Sequence, residues 1–123
     1  MTVVLVLVGA ALGAPLRYLT DVLVQSRHDS LMPWGTLVVN VSGSLLLGLT
    51  AGFVDATGGH EWVLSLVGTG FCGALTTFST FSFETLRLIE TNALLHATAN
   101  VVLSLVVGVV ACFGAWSLAV MLW

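Results

Sequence analysis

Four apolar stretches, at about residues 2–24, 33–54, 62–89 and 92–122, take up nearly the whole chain. A helix needs about 20 apolar residues to cross a bilayer, and each stretch is near that length. Charged residues make up 7% of the 123 positions, against about 25% in soluble domains. A soluble globule is therefore excluded. The sequence predicts an all-α integral membrane protein with four transmembrane helices in a single domain, residues 1–123. The first stretch reads as a span and not as a cleaved leader. It lacks a basic start, its apolar run is too long, and Arg17-Tyr18 stands where a small-residue cleavage site belongs.

The third stretch differs from the others. Residues 68–82 run Gly-Thr-Gly-Phe-Cys-Gly-Ala-Leu-Thr-Thr-Phe-Ser-Thr-Phe-Ser. Three glycines in close succession each cost a helix about 1 kcal/mol against alanine. Such residues are tolerated at membrane depth where the freed backbone faces a protein-buried site or a water-filled cavity. The sequence thus predicts a helix broken near 73–77 that carries the function. Phe78 and Phe81 lie three apart, on one face of whatever helix resumes.

Polar residues mark the other spans at helical spacing. In span two, Thr36, Asn40, Gly43 or Ser44, and Gly48 fall at three- and four-residue steps. In span four, His96, Asn100, Ser104 and Gly108 fall at strict four-residue steps. An unpaired amide in hydrocarbon costs several kcal/mol, so Asn40 needs partners: it bonds a neighbouring helix, faces a pore, or braces the broken helix. Arg17 either snorkels to the headgroups or is held inward at the entrance of a polar cavity. Asp21 lies four residues on and is available to pair with it, as Arg87 is for Glu84. Gly9 and Gly13 form a GxxxG that permits close helix approach. Pro15 should kink span one.

Whole classes of chemistry are missing. The chain has no lysine, three arginines and a formal charge of −3, so there is no basic patch for nucleic acid. Cys72 and Cys112 lie in apolar spans without metal-ligand spacing. No nucleophile–base pair and no phosphate loop appear, so an enzyme is not expected. Glu84 and Asp21 sit toward span ends, which argues against a pump or cation exporter built on a membrane-buried acid. Hydroxyls, amides, glycines and phenylalanine edges remain. Hydroxyls and amides donate hydrogen bonds without a trapping charge, and ring edges carry partial positive charge. That lining suits a small anion. Exposed carbonyls at the break can equally bind a cation, and Phe78 and Phe81 can be ordinary packing residues.

Three segments in series resemble one family: Gly13-Ala14-Pro15-Leu16-Arg17-Tyr18, then Pro33-Trp34-Gly35-Thr36-Leu37-Val38-Val39-Asn40-Val41-Ser42-Gly43, then Gly70 through Ser82. Together they resemble the small bacterial fluoride channels of the Fluc/CrcB type, across nearly the whole chain. The resemblance implies four helices per subunit, an antiparallel dual-topology dimer with two pores, and passive fluoride export across the cytoplasmic membrane. It implies that Asn40, Thr77, Phe78, Phe81, Ser82 and Ser104 line the anion path, with Arg17 at the vestibule. It further implies that backbone carbonyls of Gly73 and Thr76 from both subunits hold a structural Na⁺ at the dimer axis. Ala74 departs from the family's usual glycine.

The runner-up is a small four-helix drug or cation exporter; the missing midspan acid in span one counts against it. Four spans place both termini and the loop at 55–61 on one face, and Arg17, Arg27 and Arg87 toward the other. Lys/Arg asymmetry sets topology, so the bias leans toward one orientation with the termini outside. An antiparallel dimer is then either a homodimer or a heterodimer with an oppositely oriented paralogue.

Overall fold

The computed structural model describes residues 1–123. Four spanning segments are present, in the order that the apolar stretches predict. Helix α1 covers Thr2–Ser26 and α2 covers Trp34–Thr57. The third segment is a series of pieces: α3 (Glu61–Val63), a π-helix (Leu64–Cys72), α4 (Gly73–Leu75), three non-helical residues, and α5 (Ser79–Glu90). Helix α6, Leu94–Leu122, closes the chain.

The third span breaks close to where the sequence places it. The break falls at Thr76–Phe78, at the far edge of the predicted 73–77 window, because the glycines upstream are absorbed by a π-helix of 9 residues. A π-helix has wider turns than an α-helix and is rare beyond a single turn. Pro15 lies within α1, which continues past it to Ser26.

Close backbone contact explains the glycines. Helix α1 crosses the π-helix at Gly9 and Gly70. A Cβ on Gly9 would run into the Leu66 carbonyl, and one on Gly70 would sit 2.7 Å from the Val6 carbonyl oxygen. Helices α2 and α6 meet in the same way, with Gly48 against the Cys112 backbone. The GxxxG of span one is therefore used inside the subunit and is not free to join two copies. Gly9→Ala should lower the thermal unfolding temperature of the detergent-solubilised protein, since overpacking a tight site costs about 1–3 kcal/mol. Gly114→Ala is the control, because a Cβ there meets nothing within 4 Å. Equal unfolding temperatures would contradict this packing.

Only 21 of 123 residues are buried, and the outer faces of α1 and α6 carry exposed Val, Leu and Met, as contact with hydrocarbon requires. The small inward face of α6 follows its polar stripe. Asn100 and Gly108 are buried and His96 and Ser104 half-buried, while Val102, Leu105 and Val109 point outward. At the face carrying the 58–60 turn, Trp116 Nε1 donates to Asp55 Oδ2 at 2.9 Å. There Gly58 ends α2 with φ +64°, its N–H donating to the Val54 carbonyl at 3.1 Å. His60 does more than meet solvent: its ring stacks on Phe53 at 6.0 Å.

Candidate functional site

The break is held open from outside by Asn40. Its Oδ1 accepts the Thr77 N–H at 2.8 Å, and its Nδ2 donates to the Thr77 carbonyl at 3.1 Å. One side chain thus satisfies both main-chain groups of a residue that has left the helix. Buried backbone groups are nearly always paired, so Asn40 is what makes the break affordable. One of its amide hydrogens is still unused. Thr76 turns to an extended conformation, ψ 159°, and Arg17 Nη1 donates to its carbonyl at 3.2 Å. Of the two roles open to Arg17, the inward one is realised. It does not pair with Asp21, nor does Glu84 pair with Arg87.

Helix α5 then restarts on hydroxyls. Thr77 Oγ1 accepts the Thr80 N–H at 3.3 Å and donates to Thr80 Oγ1 at 3.2 Å. Phe78 holds the N-cap position and offers no side-chain cap, so the Thr77 hydroxyl, one residue earlier, meets a first-turn N–H that the helix itself cannot pair. The first turn of α5 presents Phe81 beside Phe78, ring centroids 6.1 Å apart and tilted 40°.

These residues converge. Asn40, Gly73, Thr76, Thr77, Phe78, Phe81 and Ser104 all line one groove of about 360 Å³, floored by Gly43 and Ser44 of α2. Seven of the nine residues singled out for pore or ion binding meet there. The groove is open along the side of the subunit, where Gly73 is exposed and Phe78 is 79% exposed. Ser82 lines no part of it. Arg17 lies behind the break, on a smaller cavity of about 190 Å³ with Tyr18, Asp21, Thr36 and Thr80.

Toward the face carrying the 27–33 loop, a second cavity of about 460 Å³ is lined by Glu84, Arg87 and Gln25. Four buried side-chain atoms make no well-aligned hydrogen bond, Thr36 Oγ1, Glu84 Oε2, Asn100 Oδ1 and Ser104 Oγ, although Thr36 and Glu84 lie beside each other. Ser104 lines the groove, Glu84 the outer cavity, and Asn100 is one helical turn, about 6 Å, from Ser104. Leaving a buried polar group unpaired costs about 1–3 kcal/mol.

Sequence reasoning passed over Glu84 and treated it as a residue of the span's end. The signal that could have found it is its spacing, three residues after Phe81 and so on the same face. Thr85 was not weighed at all, and Thr36 only as a member of the polar stripe of span two.

The carbonyls at the break also suit a hard cation. Thr77, which would close the helical hydrogen bond to Gly73, gives its N–H to Asn40 instead, so the Gly73 carbonyl lacks that donor. Space beside Gly73 is open, with nothing within 4 Å of a notional Cβ. Thr76 keeps a second lone pair beyond the one Arg17 uses. Neutral carbonyl oxygens fit an alkali or alkaline-earth ion better than a transition metal.

Relatives are similar along most of the chain. A family model described as CrcB-like protein, Camphor Resistance (CrcB), matches residues 4–116. A protein of Frankia casuarinae called Fluoride-specific ion channel FluC 1 is 58% identical, with 96% of this chain and 92% of that one covered. A FluC 1 of Streptomyces avermitilis is 53% identical over 94% of each. A FluC of Shewanella amazonensis is 46% identical, covering 80% of this chain and 79% of that one. With a family match that spans both the groove and the break, and relatives this similar over nearly their whole length, the chain belongs to the CrcB family.

Proposed function

We propose that this chain forms a fluoride-selective ion channel in the cytoplasmic membrane, through which fluoride leaves the cell passively before it accumulates to toxic levels. It is not an enzyme. The observation that carries the reading is the convergence of Asn40, Thr77, Phe78, Phe81 and Ser104 on one groove. The function named for the relatives supports it. Within the groove an anion meets one unused amide hydrogen of Asn40, the free Ser104 hydroxyl and two ring edges. None of these carries a full charge, so a small anion is stabilised without being trapped.

A groove open along the subunit's side needs a second subunit to close it. The arrangement that fits is an antiparallel dimer, with the exposed Phe78 and Gly73 of each subunit turned to the other. The carbonyls of Gly73 and Thr76 from both subunits would then hold one structural Na⁺ at the axis, whose charge would join the two broken helices. Exchanging Na⁺ for a large organic cation should lower the thermal stability of the dimer and slow fluoride release. A dimer that assembles and conducts unchanged without Na⁺ speaks against that site.

Orientation bears on the partner. Arg17 lies nine residues before the end of α1, about 14 Å deep at 1.5 Å per residue, and is bonded to Thr76. It contributes little to topology, which leaves Arg27 and Arg87 against none on the other face. The bias favours termini outside. A small drug or cation exporter is the competing reading, and the buried Glu84 oxygen is the observation in its favour.

The test is growth in fluoride of a bacterium stripped of its own fluoride export, with a C-terminal tag reporting orientation. Resistance from this chain alone, with tags on both faces, is the dual-topology homodimer. Resistance only when an oppositely inserted relative is co-expressed is the heterodimer. Resistance to organic cations without resistance to fluoride would establish the exporter instead.

A further inference from the structure

Helix α5 carries Phe81, yet it is cut off from the rest of its span. The three residues before it are non-helical, so no continuous ladder of backbone hydrogen bonds ties it to α4. It packs chiefly on α6. Apolar packing alone leaves a short half-helix free to turn about its axis. A directional bond to α6 opposes this: Asn100 Nδ2 donates to Thr85 Oγ1 at 2.9 Å. It joins α5 to α6, while on the opposite side Glu84 of α5 lies within hydrogen-bonding reach of Thr36 on α2.

The bond is directional and leads to the groove. Thr85 Oγ1 has a single proton, and it goes to the Phe81 carbonyl at 2.7 Å. Thr85 can therefore meet Asn100 only as an acceptor, which fixes the amide with Nδ2 toward Thr85. Asn100 is 0% exposed, so no solvent competes. The result is a relay across two helices, from the Asn100 amide through the Thr85 hydroxyl to the main chain of Phe81. Thr50, Thr57 and Thr91 make the same back-bond to their own helices, but none receives a bond from another helix.

We propose that Asn100 is a positioning residue for conduction: through Thr85 it fixes the rotation of α5 and so the angle at which the Phe81 edge faces the anion. This rests on the fluoride reading above, and it adds a residue that touches no ion through this amide. Asn100 Oδ1 remains unpaired, so the amide is anchored through Nδ2 alone.

The experiment uses the full chain in liposomes, with 4-fluorophenylalanine at position 81 for a parallel fluorine NMR measurement in detergent. Asn100→Leu and Thr85→Val should each slow fluoride release at least fivefold with the dimer intact, and each should move or broaden the resonance at position 81. The double variant should be no slower than the worse single one, because both break one relay. Thr85→Ser, which keeps the hydroxyl, should retain both the rate and the line position. Thr50→Val, which loses a back-bond without an Asn partner, should also match wild type. If Asn100→Leu fails to assemble, Thr85→Val carries the test alone. Wild-type rate and an unmoved line in Thr85→Val would overturn the proposal while leaving the fluoride reading intact. Absence of fluoride release from the wild type would overturn that reading, and the fluorine line would still decide whether Asn100 sets the position of Phe81.

Discussion

Fluoride release should fall about tenfold when Phe81 is replaced by isoleucine, and by a similar factor for Phe78→Ile. Both rings line the groove, 6.1 Å apart, and isoleucine keeps apolar bulk while removing the electropositive ring edge. Losing about 1.4 kcal/mol of stabilisation along the path corresponds to a tenfold slower rate. Stability should change little for Phe78, which is 79% exposed on the subunit and so contributes almost nothing to its interior. The measurement is efflux per assembled dimer, with unfolding temperature alongside. If both variants conduct at the wild-type rate, the rings only pack and do not face the anion.

Substitutions at Asn40 should separate bracing from conduction. Asn40→Ala leaves the Thr77 N–H and carbonyl, now bonded at 2.8 and 3.1 Å, without partners. Each orphaned group costs about 1–3 kcal/mol, so this variant should unfold at markedly lower temperature. Asn40→Asp can still accept the Thr77 N–H and should keep more of the fold. It places a negative charge on the groove, however. At 4 Å and an effective dielectric constant of 20, two like charges repel by about 4 kcal/mol, a rate loss on the order of a thousandfold. The aspartate variant should therefore be the better folded and the poorer conductor of the two. An aspartate variant that conducts as fast as wild type would remove Asn40 from the anion's path and leave it the bracing role only.

The four spans and the broken third one were legible because both signals are local. Apolar runs of bilayer length and clustered glycines state their consequences without knowledge of the tertiary fold. The groove was legible for a related reason: Asn40, the Thr-Thr-Phe run and Ser104 are polar or aromatic residues whose presence in hydrocarbon demands partners. What the sequence could not state was who those partners are. Asn40 was read as a brace or a pore amide, and only the fold brings it to both main-chain groups of Thr77. Arg17 and Asp21 look like a pair at helical spacing, yet Arg17 reaches a carbonyl 59 positions away in the chain. The extent of the π-helix was hidden too, and so was the close crossing of Gly9 against Gly70 within it, a long-range contact. Glu84 was dismissed because its place near a span's end suggested solvent, whereas α5 is a half-helix and its end lies over a cavity. Thr85 looked like any helical threonine until Asn100 was seen to donate to it.

The most direct measurement is fluoride released from liposomes that contain purified chain and no other protein, followed with a fluoride electrode after an ionophore frees the counter-ion. Fluoride should leave rapidly while trapped chloride stays until detergent is added, and Phe81→Ile liposomes should hold most of their fluoride on the same timescale. Retention of fluoride by liposomes containing well-folded dimer, or loss of chloride at the same rate as fluoride, would contradict a fluoride-selective channel.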